Sequence, residues 1–212
     1  VLVVAHEGVR YSVPGAVLAF HPGMAKLRLH NLQGGRADPM VTAMALQPGD
    51  RVLDCTLGLG TDAIVAASVV GPEGVVEGLE AVLPIFLVVA DGLSRYAKGG
   101  EALTAAMRRV RPQWAEASAF LGHARPADYD VIYIDPFFER PVAASCAITP
   151  LRILGAHETE PLRAAALRAL EVARRRVVVK GSRGSTFCQG MPVEQIVGGR
   201  HSNVEYAVLR IR

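Results

Sequence analysis

Short runs of aliphatic and β-branched residues alternate with Ala-rich stretches whose apolar positions recur at helical spacing. Strands and helices should therefore follow one another along most of the chain, as in an α/β fold with a parallel sheet. The first residues differ. Leu2 to Ala5, Val9 to Val13 and Ala16 to Phe20 are short apolar runs separated by His6-Glu7-Gly8 and Pro14-Gly15, which predicts a small β appendage. After a break at His21-Pro22-Gly23, Met24 to His30 carries positive charge into Gly34-Gly35-Arg36, and residues 1–36 are read as appendage plus basic linker. The main domain, 37–212, opens at Asp38-Pro39, with Asp38 as N-cap and Pro39 at the first position of a helix to about Leu46. The pattern then predicts strands at Val52 to Asp54, Val75 to Glu80, Pro112 to Ala117, Tyr129 to Asp135 and Arg176 to Lys180. Helices are predicted at Thr61 to Val70, Leu83 to Tyr96, Glu101 to Val110 and Glu158 to Ala173. Pro141 to Leu154 has little periodicity and reads as a loop over the site. Met191 to Val197 and Asn203 to Ile211 read as an antiparallel pair around Gly198-Gly199.

The stretch Val52 to Asp62 organises the rest. A buried strand enters a turn with Gly58 and Gly60, and a helix begins at once, so bare backbone and the free N–H groups of a first helical turn face whatever binds there. Gly58-Leu59-Gly60-Thr61-Asp62-Ala63 fits the G-x-G-x-x-A dinucleotide fingerprint, which keeps an NAD-dependent oxidoreductase open as a reading. Against it, Asp54 stands four residues before the first glycine, where dinucleotide folds place an apolar residue, and an acidic Asp-Pro-Phe-Phe turn follows at Asp135. Glu80 ends the second strand 22 residues beyond Gly58, where an acid accepts both hydroxyls of a ribose; Glu77 competes but lies within the strand.

Composition narrows the class. With 212 residues, half of them hydrophobic, a sizeable single core is expected, and no apolar run reaches the roughly 18 to 20 residues that span a bilayer. A basic-then-apolar leader is missing from the opening residues, and the reading is cytoplasmic, with no membrane partner. Cys55, Cys146 and Cys188 are far apart and lack ligand spacing, which points to reduced thiols and not to a metal site. A net charge of +3 permits an anionic partner. Gly34-Gly35-Arg36 could hold a phosphate or carboxylate, or be an ordinary loop.

Hydrophobic-hydrophobic-Asp-x-x-x-Gly-x-Gly, as Val52 to Gly60, resembles motif I of class I S-adenosylmethionine-dependent methyltransferases, in which the loop wraps the methionine end of the cofactor. Asp135-Pro136-Phe137-Phe138 resembles the [Asp/Asn/Ser]-Pro-Pro-[Phe/Tyr] turn of enzymes that methylate an exocyclic amine of a nucleobase, with Phe137 departing from the second proline. The residue types suit that chemistry. A carboxylate and a backbone carbonyl accepting the two N–H bonds localise the amine lone pair, and an aromatic ring stacks the base. Asp135 and the Pro136 carbonyl would be the acceptors and Phe138 the platform. The resemblance implies a Rossmann-like seven-stranded sheet, which the terminal antiparallel pair fits.

Further motifs bring the sequence nearer one family. Gly34-Gly35-Arg36, Asp54 to Ala63, Asp91-Gly92-Leu93, Tyr133 to Phe138 and Arg176-Val177-Val178-Val179-Lys180 together resemble the bacterial small-subunit ribosomal RNA guanine-N2 methyltransferases called RsmJ, from about Phe20 onward. The resemblance implies S-adenosyl-L-methionine as cofactor, with Asp54, Gly58, Gly60, Thr61, Asp62, Glu80, Ala81, Ala117, Ser118 and Asp135 around it. It implies ribosomal RNA or the small ribosomal subunit as partner. Lys26, Arg28, Arg36, Lys180 and Arg183 are expected to steer its phosphates. No metal is called for, because the sulfonium is already activated. The family has Arg where Thr61 stands, Arg-Asn where Ala81-Val82 stands, and a basic stretch where Glu139-Arg140-Pro141 stands. Two other readings stay open beside this one, the oxidoreductase and a non-catalytic RNA-binding relative of the methyltransferase fold.

Overall fold

The computed structural model describes residues 1–136, 153–154, 159–199 and 202–211. At the N-terminus β1 (Leu2–Ala5), β2 (Gly8–Val13) and β3 (Ala16–Ala19) form a three-stranded antiparallel sheet, followed by α1 (Ala25–Gln33) and α2 (Pro39–Met44). Strands and helices then alternate: β4 (Arg51–Asp54), α3 (Thr61–Val70), β5 (Val75–Glu80), α4 (Leu83–Arg95), α5 (Glu101–Arg109), β6 (Val110–Trp114), α6 (Ala117–His123), β7 (Tyr129–Ile134), α7 (Thr159–Val172) and β8 (Ala173–Ser182). β9 (Val193–Gly198) and β10 (Val204–Leu209) close the chain. The second sheet has seven strands in the order β6-β5-β4-β7-β8-β10-β9. β4 to β8 are mutually parallel, while β10 runs antiparallel to both β8 and β9. The terminal pair is thus joined to the sheet through its last strand, which lies inside the penultimate one.

Both faces of this sheet are covered, which explains why its strands read as unbroken hydrophobic runs. Successive side chains point to opposite faces. Val52, Val131, Tyr133 and Val178 pack with α1 to α5, whereas Leu53, Ile132, Ile134, Val177 and Val179 pack with α6 and α7. α3 is apolar almost all round because it lies deep in the first layer. Its Ile64 is fully buried, and truncation to Ala would cost about 2–5 kcal/mol.

The N-terminal sheet docks on α4 through the motif Asp91-Gly92-Leu93. Asp91 Oδ2 accepts the Val9 N–H at 3.0 Å. A Cβ at Gly92 would fall 1.9 Å from Cγ of Phe20, so only glycine lets that ring lie against the helix. Phe20 also meets Tyr96 edge-on at 5.7 Å.

Three elements depart from the sequence expectations. Met24 to His30 lies mostly in a helix, α1, whose Ala25 and Leu29 are buried one turn apart. Gly34-Gly35-Arg36 ends it: Gly35 has φ +75°, and the Arg36 N–H returns to the Asn31 carbonyl at 2.9 Å. β6 starts at Val110, and Ala117–His123 is a helix because Glu116 caps it, accepting the N–H groups of Ser118 and Ala119. β8 extends in both directions beyond Arg176 to Lys180. The Asp38 N-cap and the Thr61–Val70 helix stand as expected. Phe137, Phe138 and nearly all of 141–154 lie outside the described residues.

Candidate active site

β4 has β5 on one side and β7 on the other, so the chain builds outward from it in both directions and a crevice opens beyond the carboxyl ends of these strands. Two different constructions meet there.

On the β5 side, carboxylates are held by backbone. Gly58 (φ +50°) and Gly60 (φ +76°) turn the chain from β4 into α3. The Gly58 N–H donates to Glu80 Oε2 at 3.1 Å and the Val82 N–H to Glu80 Oε1 at 2.8 Å. Each oxygen keeps a further lone pair, so the carboxylate can still accept two hydroxyls. The Ala115 N–H donates to the Glu80 carbonyl at 3.2 Å, bringing Ala117 and Ser118 alongside. Trp114, 59% exposed, donates its indole N–H to the Ala81 carbonyl at 3.0 Å and walls this side. Burial raises the Glu80 pKa against the opposing Val82, Gly58 and Ala81 N–H groups. A vicinal diol fits the acceptor positions left on Glu80.

On the β7 side, carboxylates are held by cations. Lys180 Nζ, at the end of β8, donates to Asp135 Oδ2 at 2.7 Å and to Asp62 Oδ2 at 3.0 Å. Tyr133 Oη donates to the same Asp62 oxygen at 2.8 Å, and Arg28 takes Asp62 Oδ1. The Arg28 guanidinium also donates twice to Asp38, at 2.7 and 2.9 Å. A continuous network therefore runs from α1 through the first turn of α3 to the end of β7. Thr56 ties the chain after β7 to the end of β4: its Oγ1 accepts the Asp135 N–H at 2.7 Å, and its own N–H donates to Asp54 Oδ1 at 3.0 Å.

The same network sets the charges. Asp54 is almost fully buried and its pKa is pushed up to about 7, chiefly by burial, with Asp62 and Asp135 adding and the Thr56 N–H and Lys180 opposing. Burial also raises Asp135, against the pull of Lys180. For Asp62, burial is outweighed by Lys180 and Arg28, which hold its carboxyl well below the usual range. Burial would lower Lys180, but Asp135 and Asp62 hold it firmly protonated.

The carboxyl ends of β4, β5, β6 and β7 and the turns and helix starts that follow them carry Asp54, Gly58, Gly60, Thr61, Asp62, Glu80, Ala81, Ala117, Ser118, Asp135 and Pro136. Thr61 faces the N-terminal segment, its Oγ1 3.5 Å from the Pro22 carbonyl. Two basic residues expected to meet phosphates are placed otherwise. The Arg28 and Lys180 side chains are only 18% and 17% exposed, and both are engaged by carboxylates. Lys26, Arg36 and Arg183 are exposed; Arg36 donates to Asn31 Oδ1 and Arg183 to the Gly199 carbonyl. Sequence reasoning missed Thr56, Tyr133 and Trp114 as site residues. Tyr133 carried a signal, being a hydroxyl-bearing residue between Ile132 and Ile134 near the carboxyl end of its strand. A cleft of about 410 Å³ between β8, β9 and β10 lies at the opposite strand ends. There Arg175 binds Asp50, just before β4, and Arg176 the Ala43 carbonyl of α2.

Among the described residues there is no group of three or more His, Cys, Asp or Glu side chains placed to hold a metal ion, and no helix long and apolar enough to cross a membrane. Cys55 and Cys188 are free thiols.

Comparison with known proteins agrees with this geometry. The family profile described as "Putative SAM-dependent methyltransferase" matches residues 11–205. YpiP of Bacillus subtilis, an uncharacterised protein, is 39% identical over 84% of this chain and 70% of its own length. "Ribosomal RNA small subunit methyltransferase J" of Stutzerimonas stutzeri is 34% identical over 91% of this chain and 74% of its own. The crystal structure of the SAM-dependent methyltransferase NGO1261 from Neisseria gonorrhoeae superposes with a TM-score of 0.70 at 19% identity, covering 99% of this chain and 82% of that one, and shares the fold. The seven-stranded sheet and the glycine turn facing Glu80 thus belong to a methyltransferase that uses S-adenosyl-L-methionine, and the chain is a member of this SAM-dependent methyltransferase family, resembling RsmJ.

Proposed function

We propose that the protein methylates an exocyclic amine of a nucleobase, guanine N2 in small-subunit ribosomal RNA. The observation that carries this reading is Asp135-Pro136 directly after β7, with the Asp135 N–H anchored on Thr56 and one oxygen of its carboxylate held by Lys180. The RsmJ relatives supply the substrate class.

S-adenosyl-L-methionine supplies a methyl group activated by its positive sulfur. Glu80 would accept the ribose hydroxyls, the Gly58–Gly60 turn with Thr61 and Asp62 would border the methionine end, and Ala81, Ala117, Ser118 and Trp114 would border the adenine. Asp135 and the Pro136 carbonyl would each accept one N–H of the target amine, turning its lone pair toward the methyl. Transfer would form the N–C bond from that lone pair while the S–C bond broke with its electrons left on sulfur. The surplus proton on nitrogen then passes to Asp135 or to water. Phe138, the expected stacking ring, lies outside the described residues. Lys26, Arg36 and Arg183 are the exposed cations offered to RNA phosphates.

The test is methyl transfer from labelled S-adenosyl-L-methionine into small-subunit ribosomal RNA lacking the modification, followed by nucleoside mass spectrometry. N2-methylguanosine is expected. Label in a different nucleoside would replace the guanine assignment, and cofactor binding without transfer to any RNA would favour a non-catalytic relative.

A further inference from the structure

We infer that Lys180 is a positioning residue for methyl transfer: held by Asp62, it occupies one oxygen of Asp135 so that the carboxylate presents its other oxygen to the amine in a fixed direction. The inference rests on the proposed role of Asp135 as amine acceptor. The geometry is specific. A carboxylate at the end of a strand can rotate about χ2, and a lone surface lysine would not stop it. Here the ammonium is anchored from a second element, because Asp62 Oδ2 lies 3.0 Å from the Nζ that meets Asp135 Oδ2 at 2.7 Å. Asp62 is itself fixed by Arg28 on one oxygen and Tyr133 on the other. The four ion-paired side chains at this junction are shielded: Lys180 is 17% exposed, Asp62 12%, Arg28 18% and Asp135 25%. Such an arrangement orients a reacting group through a neighbour whose own rotamer is locked.

A phosphate-binding role would need Lys180 to leave two carboxylates and enter water. A purely structural brace would hold the fold but leave the charge of Asp135 without a purpose. The charged and titratable groups facing Asp135 among the described residues are Lys180 from β8, Asp62 from α3 and, more distantly, Asp54 from β4 and Tyr133 from β7. Lys180 is the group among them that favours the ionised acceptor. Removing its charge must therefore move the Asp135 titration to higher pH and leave less acceptor at neutrality.

The experiment compares wild type, Lys180→Met, Lys180→Arg and the double variant Lys180→Met with Asp62→Asn, which removes one charge of each sign and guards against misfolding. The Asp135 carboxyl carbon is followed by NMR in protein labelled with 13C-aspartate and assigned with Asp135→Asn, and methyl transfer to small-subunit ribosomal RNA is measured across pH. The expected result is a higher Asp135 midpoint in Lys180→Met and a wild-type-like midpoint in Lys180→Arg. Transfer in Lys180→Met should fall roughly 100-fold near neutrality and recover partly as pH rises, with cofactor affinity within about threefold of wild type. An Asp135 midpoint and a pH–rate profile unchanged by Lys180→Met would overturn the inference. If wild type methylates no ribosomal RNA, the functional reading fails, and the carboxyl titration still decides whether Lys180 governs Asp135.

Discussion

The two halves of the crevice hold carboxylates in different ways. Around Glu80 the partners are backbone N–H groups from Gly58 and Val82, neutral donors fixed by strand and turn. Around Asp135 and Asp62 the partners are full charges, Lys180 and Arg28, brought from β8 and α1 respectively. A backbone cradle stays rigid whatever its occupant, which suits a cofactor that returns each turnover. A charge-braced acceptor has its direction and ionisation set by its neighbours, which suits a group that must hold an amine during reaction.

The largest effect should come from breaking the charged half. Asp62→Ala leaves Lys180 and Arg28 each short of a partner in a shielded site. It should cost about 3–5 kcal/mol, read as a lower urea midpoint; a change near zero would mean the network is solvent-screened. In the other half, Glu80→Ala should leave the fold intact and weaken S-adenosyl-L-methionine roughly 100-fold by calorimetry. Unchanged affinity would remove Glu80 from the cofactor site.

Asp54 sharpens the comparison through pH. Its carboxyl sits at about 7 in the folded protein, against about 3.9 in an unfolded chain. The folded state therefore keeps a proton that the unfolded state releases. The stability from this group is complete below about pH 4 and is lost as pH rises to about 7. Asp38 and Asp62, with lowered pKa values, lose their contributions only as pH falls below about 4, outside that window. Asp54→Asn should thus flatten the decline between pH 5 and 8 by an amount on the order of 2 kcal/mol. Wild type and variant with parallel pH profiles would contradict the assignment. Smallest of all, Thr56→Val removes the hydroxyl that receives the Asp135 N–H, and should cost about 1 kcal/mol of stability.

The sequence made the Glu80 half readable because its parts are local. Val52 to Asp62 is one continuous strand, turn and helix start, and Glu80 ends the next strand, so spacing alone leads to the glycine turn and the acid. The end of β7 was readable for the same reason. The brace was not, since Arg28, Asp62 and Lys180 meet only when α1, α3 and β8 converge, and the sequence alone assigned Arg28 and Lys180 to RNA phosphates and Asp62 to the cofactor. α1 itself was obscured by its lysine and arginine, although Ala25 and Leu29 carry the four-residue spacing of a buried helical face. α6 was hidden because Glu116 is a less familiar N-cap than Ser or Asp.

The most direct measurement is a single-turnover experiment on Asp135→Asn with bound S-adenosyl-L-methionine and unmodified small-subunit ribosomal RNA, alongside calorimetric titration of the same variant. If the two halves are separable as described, cofactor affinity stays within about threefold of wild type while methyl transfer falls about 1,000-fold or more. Transfer at the wild-type rate in that variant would contradict the account, because Asp135 would then not be the group that holds the amine.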